Sequence, residues 1–294
     1  MNKEFNGKDV IIMSCSDCNT RCKHCYISYN LNFEEDVLFE LASKCSEKYN
    51  TSINGSELLI HPEYFKTIQM VGQTRIMTNG IEIVRNPDIM KELKNRGIKI
   101  ISISYHMGIH DEISSVQKEM IYKVINIAKQ NSVKVRIMVT IDKDNYILVE
   151  SMCKKALELG VNSIRFTNYL ITGKALEISD RALNDEQIQT FLTLVQEQRK
   201  KYPKDVLEIK RCGTFGKQNG VSKNNFKCPA GKDLIAITPD MNIYPCNFLS
   251  KPGFEIGKVI EGRIIINKNI INDGSKCIAR EIYNKHSDFL KYFN

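Results

Sequence analysis

No stretch of this chain stays apolar for long. Its opening residues 1–14, MNKEFNGKDVIIMS, lack the hydrophobic run of a signal peptide or of a membrane span, which needs ~20 apolar residues in a row. The sequence therefore predicts a cytoplasmic protein with no membrane partner. It also lacks any block of five or six like charges, although 42 Lys+Arg against 34 Asp+Glu leave a net charge of +8. Scattered basic residues describe a solvated surface; the excess suits an acidic substrate or peptide, and nucleic acid is not an expected partner. Internal repeats and low-complexity tracts are missing as well, which excludes a repeat architecture.

What is present in excess is cysteine. Ten occur in 294 residues. In a reducing cytoplasm they point to metal ligation or catalysis rather than to disulfides. They cluster at the two ends, as Cys15, Cys18, Cys22 and Cys25, and as Cys212, Cys228, Cys246 and Cys277. Between them, Cys45 falls with Leu38, Leu41 and Ala42 on one helical face. Cys153 falls likewise with Val149, Met152 and Ala156, so both read as core.

The first two thirds alternate β-branched runs with amphipathic stretches. Strands are predicted at Val10–Ser14, in a short run ending at Asn54, and at Thr74–Thr78, Lys99–Tyr105, Val133–Ile141 and Ser163–Thr167. Helices are predicted at Phe33–Tyr49, Pro62–Met70, Asp88–Arg96, Asp111–Gln130, Asn145–Leu159 and Asp185–Tyr202. Six strands with intervening helices imply an α/β fold, a parallel sheet closing into a partial (β/α)6 TIM-like barrel. The chemistry of such folds sits at the C-terminal ends of the strands. The pattern changes near Tyr202-Pro203, which divides the chain into 1–203 and 204–294. The second part carries Leu207–Lys210, a hairpin of Asp233–Thr238 and Asn242–Cys246 around Pro239-Asp240-Met241, and Ile264–Ile266.

Directly after the first strand stands Cys18-Asn19-Thr20-Arg21-Cys22-Lys23-His24-Cys25. Three thiolates spaced CxxxCxxC can converge on a [4Fe–4S] cluster and leave its fourth iron open to a small molecule. A Cys₃His zinc site is the alternative, although His24 adjoins Cys25 and adjacent side chains diverge. Cys15 reads as a small buried hydrophobe.

This motif, followed by the aromatic Tyr26, resembles that of the radical S-adenosylmethionine (radical SAM) superfamily. The resemblance implies that S-adenosyl-L-methionine binds the open iron and is reductively cleaved to a 5′-deoxyadenosyl radical, which abstracts hydrogen from substrate. Asn54-Gly55-Ser56-Glu57-Leu58-Leu59-Ile60-His61-Pro62 stands where the family has Gly-Gly-Glu-Pro. There Gly55 would let the backbone approach the ligand and Glu57 would face the methionyl ammonium; Ser56 and Leu58 depart from the pattern. Thr78-Asn79-Gly80 matches a Thr-Asn-Gly turn. Ser102-Ile103-Ser104 matches a Ser-hydrophobic-Asp segment with Ser104 in place of Asp, followed by His110-Asp111, and Ser102 is the favoured cofactor contact. Arg165 is placed along the barrel interior, with a surface salt bridge as the alternative, and His106 as a satisfied polar side chain.

Cys228-Pro229-Ala230-Gly231, the hairpin and Tyr244-Pro245-Cys246 resemble the twitch/SPASM-like auxiliary-cluster extension of the same superfamily. Met241 stands where that extension has Gly, so a different turn is expected. Cys212, Cys228, Cys246 and Cys277 would saturate one further [4Fe–4S] cluster, with zinc again the alternative. The resemblance leads to a peptide-modifying oxidoreductase or epimerase, acting on a ribosomal peptide by epimerisation or crosslinking, with flavodoxin or ferredoxin as electron donor. The rival readings are a small-molecule radical SAM dehydrogenase and a zinc-binding, non-catalytic module.

Overall fold

The computed structural model describes residues 3–216 and 227–292. Three strands open the chain, β1 (Lys3–Glu4), β2 (Asp9–Met13) and β3 (Asn50–Asn54). Five follow, β4 (Arg75–Thr78), β5 (Ile100–Ser104), β6 (Lys134–Ile141), β7 (Ser163–Asn168) and β8 (Glu208–Arg211). The last four are β9 (Leu234–Ile237), β10 (Asn242–Tyr244), β11 (Gly257–Ile260) and β12 (Arg263–Ile266).

They form two hydrogen-bonded sheets in two compact units. The first unit comprises Met1–Asn19, Tyr26–Thr74 and Lys227–Asn294; the second comprises Thr20–Cys25 and Arg75–Phe226. The six strands expected in one sheet are thus shared, β2 and β3 in the first unit and β4 to β7 in the second.

In the first unit the sheet order is β1-β12-β11-β10-β9-β2-β3. β2 runs parallel to both β3 and β9, and the remaining pairs are antiparallel. β9 and β10 form the expected hairpin, and its turn is the one glycine would make. Met241 has φ +63°, in the left-handed region, so the expected difference in turn does not occur. An L side chain is held there at a cost of about 1 kcal/mol. Asp240 secures it by accepting the Thr238 hydroxyl at 2.6 Å and the Asn242 amide side chain at 2.7 Å.

The second unit carries β4-β5-β6-β7-β8, all parallel and in chain order. Its apolar face is built from every second residue. Ile76, Ile101, Ile103, Val135, Ile137, Val139, Ile164 and Phe166 are all buried, and helices Lys118–Gln130, Val149–Glu158 and Asp185–Lys201 supply further buried apolar residues. The other face is mostly polar: Arg75 and Met77 on β4 are exposed, Ser102 on β5 and Arg136 on β6 are buried, and Ser104, Met138, Thr140, Arg165 and Thr167 are half-buried. A parallel sheet is ordinarily apolar on both sides. This sheet is apolar on one side alone.

Two differences from the sequence pattern matter for the site. The helix expected over Asp111–Gln130 is broken into His110–Ile113 and Lys118–Gln130. The break is held by the ring Nε2–H of His110, which donates to the Val116 carbonyl at 2.7 Å, and by Ser114 Oγ, which accepts the Val116 N–H at 3.2 Å. A helix over Ile278–Lys285, absent from the sequence reading, starts directly after Cys277.

Candidate functional site

The cysteine loop follows β2 as expected. Cys18 belongs to the first unit and is exposed; Cys22 and Cys25 belong to the second and are half-buried. Within the second unit the loop is tied down along the segment Ile113–Ser115. The Lys23 N–H donates to the Ile113 carbonyl at 2.9 Å, and His24 Nδ1 lies 3.1 Å from the same oxygen. The Ser115 N–H donates to Cys22 Sγ at 3.5 Å, and Ser114 Oγ stands 3.9 Å from that sulfur. Because Ser114 Oγ already accepts the Val116 N–H, its own proton is available to the sulfur. The break in the predicted helix thus creates donors for a thiolate. The Cys25 carbonyl accepts the Lys174 N–H at 2.9 Å.

His24, His106 and His110 adjoin this loop. The His24 and His106 rings meet edge to face at 4.3 Å. His106 Nδ1 accepts the Thr140 N–H at 3.0 Å, and His110 Nδ1 accepts the His106 N–H at 3.1 Å. Burial pushes all three rings below the usual imidazole pKa, His106 most strongly. They act as neutral spacers. His106 Nε2 is buried without a hydrogen-bond partner among the described residues, so the satisfied histidine expected from the sequence is only half satisfied.

Gly55 and Glu57 are put to structural use in the first unit. A Cβ on Gly55 would stand 2.5 Å from Cys15 Sγ and 3.2 Å from the Cys15 carbonyl. The missing side chain therefore lets residue 55 pack against the end of β2, where the sequence reading gave it to the ligand. Gly55→Ala should cost about 1–3 kcal/mol of stability by overpacking. Urea denaturation checks it, and Cys15→Ala in the same chain should recover much of the loss. Glu57 is 1% exposed, and its carboxylate accepts the Leu59 N–H at 3.2 Å, capping a short 3-10 turn. Ser56 donates its N–H to the Cys15 carbonyl at 3.0 Å.

Tyr26, next to Cys25, turns toward the hairpin of its own unit. Its ring lies 5.1 Å from that of Phe248, and its hydroxyl accepts from Asn247 Nδ2 at 3.2 Å. In the second unit Thr78 Oγ1 accepts the Gly80 N–H and Asn79 Oδ1 the Ile81 N–H, each at 2.9 Å. The Thr-Asn-Gly segment thus caps the short helix Ile81–Arg85. Ser102 differs. Its hydroxyl is 1% exposed and has no hydrogen-bond partner among the described residues, an orphan of the kind a ligand satisfies. Ser104 is half-buried one step along the same face.

The second cysteine set is divided. Cys228, Cys246 and Cys277 are buried in the first unit, whereas Cys212 lies in the second, its N–H on the Phe166 carbonyl at 2.8 Å. The Cys277 thiol hydrogen-bonds Cys228 and holds it below the usual thiol pKa, while Cys277 itself is pushed up. Backbone N–H groups of Ile278 and Ala230 also favour the Cys228 thiolate. Cys15, Cys45 and Cys153 are buried, with burial pushing their thiols up to about 11, 12 and 12, respectively. Thiols so raised are poor ligands beside the half-buried and paired ones. Among the described residues no three His, Cys, Asp or Glu side chains converge tightly enough for a single metal ion.

The sequence reading missed Arg75 and Arg136, which share the polar face with Arg165. Arg136 is 3% exposed and donates Nε to Ser163 Oγ at 3.1 Å. The signal was there: a basic residue at every second position of a β-branched run, Lys134-Val135-Arg136, is a face pattern. No helix among the described residues is long and apolar enough to cross a membrane.

No known family profile and no curated protein sequence matches the chain. Solved structures do. Streptococcus suis SuiB bound to precursor peptide SuiA matches with a TM-score of 0.68 at 13% identity, over 95% of this chain and 65% of that one. SuiB bound to S-adenosylmethionine gives 0.68 at 15% identity, over 95% and 66%. Native anSMEcpe with bound AdoMet and a peptide gives 0.64 at 16% identity, over 86% and 77%. This chain spans about two thirds of the SuiB length. The likeness extends over nearly all of both units, and the chain has the partial-barrel α/β fold of the radical S-adenosylmethionine enzymes.

Proposed function

We propose that the chain is a radical SAM enzyme acting on a ribosomal peptide, by epimerisation or crosslinking. The observation that carries this reading is the CxxxCxxC loop after β2, with Cys22 supplied with N–H and hydroxyl donors suited to a thiolate. When bound, a [4Fe–4S] cluster with one open iron supplies reductive cleavage of S-adenosylmethionine and hence hydrogen abstraction from substrate.

The chain's own residues do the holding. Cys18, Cys22 and Cys25 ligate the cluster. Glu57 offers a buried carboxylate to the methionyl ammonium, while Ser102 and Arg165 offer a hydroxyl and a guanidinium to its carboxylate or ribose. Tyr26, Gly55, Ser56, Thr78, Asn79 and Ser104 shape the surround. Residues 1–203 carry this initiation chemistry. Residues 204–294 carry a second cluster on Cys228, Cys246 and Cys277, with Cys212 as the fourth ligand and a flavodoxin or ferredoxin as electron source. The peptide substrate is supported by the bound peptides of SuiB and anSMEcpe, whose fold this chain shares.

Anaerobically reconstituted protein, given dithionite and S-adenosylmethionine, should release 5′-deoxyadenosine slowly without substrate. Glu57→Gln keeps an oxygen for the Leu59 N–H but removes the charge. It should weaken S-adenosylmethionine binding about tenfold, as read by equilibrium dialysis, without loss of iron. Unchanged binding would take Glu57 out of the site, and no 5′-deoxyadenosine from a brown, iron-replete protein would sink the reading.

A further inference from the structure

Three donors stand around the Cys22 sulfur. The Ser115 N–H lies 3.5 Å away, the Thr20 hydroxyl 3.7 Å and the Ser114 hydroxyl 3.9 Å. Thr20 belongs to the cysteine loop itself. Ser114 and Ser115 come from a distant part of the second unit, and they reach the sulfur because the chain leaves the helix His110–Ile113 at Ser114. That residue is extended, with φ −104° and ψ 145°. In an unbroken helix the Ser115 N–H would be spent on the Asp111 carbonyl, and the Val116 N–H on that of Glu112. The break frees the first for Cys22 and gives the second to Ser114 Oγ at 3.2 Å. A hydroxyl that accepts a hydrogen bond is also a better donor.

One buried ring holds the break. His110 is 2% exposed, and both of its nitrogens are engaged. Nδ1 accepts the His106 N–H at 3.1 Å, so the proton sits on Nε2, which donates to the Val116 carbonyl at 2.7 Å. His106 is itself anchored to β6 through the Thr140 N–H at 3.0 Å. The ring therefore ties the far side of the break to the sheet. An ion pair of Lys118 with Asp111 also crosses the break, but on the exposed side, where such pairs contribute little.

We propose that His110 is a positioning residue for the N-terminal cluster: by clamping the break it aims the Ser114 hydroxyl and the Ser115 N–H at Cys22, and so raises the cluster's reduction potential. The assignment rests on the radical SAM reading. Hydrogen bonds to the sulfurs are among the factors that set the potential of an iron–sulfur cluster. The added electron makes the cluster more negative, and donors facing a ligating sulfur favour that state. The electron comes from the flavodoxin or ferredoxin, and no bond or proton changes at Cys22.

The test is a redox titration of the full, anaerobically reconstituted chain followed by electron paramagnetic resonance. The N-terminal cluster is the one whose signal changes on adding S-adenosylmethionine. Ser114→Ala and His110→Phe should each lower its reduction equilibrium constant about tenfold, a midpoint about 59 mV more negative for one electron. Ser114→Thr should keep the wild-type value. Ser114→Ala added to His110→Phe should contribute less than it does alone, because the hydroxyl is no longer aimed. Lys118→Gln should stay near wild type. In the metal-free chain, hydrogen exchange over residues 113–118 should quicken in His110→Phe, a readout that needs no cluster. An unchanged potential or unchanged exchange in His110→Phe, fully additive shifts, or an equal shift in Lys118→Gln overturns the proposal. Should His110→Phe not fold, an unchanged potential in Ser114→Ala overturns it alone. A chain that takes up no iron would end the radical SAM reading and the proposal together, whereas bound iron at an unmoved potential would end the proposal only.

Discussion

With Cys18, Cys22 and Cys25 all replaced by Ala, the chain should release no 5′-deoxyadenosine at all, and its iron should fall from about eight atoms to about four. The effect is total because these three thiolates are the cluster's proposed protein ligands, and none remains. Cys15 cannot substitute for a lost ligand, since its thiol is fully buried and pushed up to about 11. The second cysteine set should keep its iron, because none of its members is replaced and Cys228, Cys246 and Cys277 are buried in the first unit. Iron analysis, the visible spectrum and chromatographic detection of 5′-deoxyadenosine check all three parts. A triple variant that still cleaved S-adenosylmethionine would move the radical chemistry elsewhere. Zinc without iron in anaerobically purified wild-type protein would remove the reading altogether.

The second large effect is expected at the other cysteine set. Cys228→Ala with Cys246→Ala should abolish turnover of the true substrate while sparing some uncoupled cleavage of S-adenosylmethionine. Cys228 is held below the usual thiol pKa by Cys277 and by the N–H groups of Ile278 and Ala230. Removing it with Cys246 takes away two of the three members of this set that are buried in the first unit. Metal binding contributes to the folding of such small regions, so lower solubility is expected and circular dichroism must show that secondary structure survives. The neighbouring link from Asn247 to Tyr26 involves side chains that these substitutions leave unchanged. A folded double variant converting substrate at the wild-type rate would make the second cluster dispensable and remove the support for its role.

Much of the fold was legible because its strands are β-branched runs and its helices amphipathic. Each of the six strands expected in the first two thirds exists, with ends shifted by a residue or two. Less visible was whatever depends on partners distant in sequence. The pairing of β2 with β9 leaves no trace in local periodicity, so the sharing of strands between two sheets could not be read. The break before Lys118 was hidden because Ile113 and Val116 continue a helical spacing, while the interaction that breaks it, His110 to the Val116 carbonyl, joins residues six apart, a spacing that helical periodicity does not register. Met241 illustrates the opposite error. Its residue type argued against the left-handed turn, yet Asp240 holds it there. At the site, cysteine spacing is a strong signal because few chemistries use it. Glu57, Thr78 and Asn79 were located by resemblance, and the structure shows each of them also bonding nearby backbone.

The strand order of the first unit has a consequence for how the protein is made. β2, which leads into the cysteine loop, is completed on one side by β3 and on the other by β9, and among the described residues β1 pairs with β12. At ~5–20 residues per second on the ribosome, the segment carrying β2 waits many seconds for residues 234–237 to emerge. Pairings so distant in sequence also close slowly once available. During that interval the loop's thiols are displayed on an incomplete sheet edge. Iron loading before release would capture an unfinished site, so cluster insertion is expected to follow chain completion. A pulse-labelled nascent chain stalled before residue 227 should accordingly take up no iron, while the full chain takes it up within the folding time.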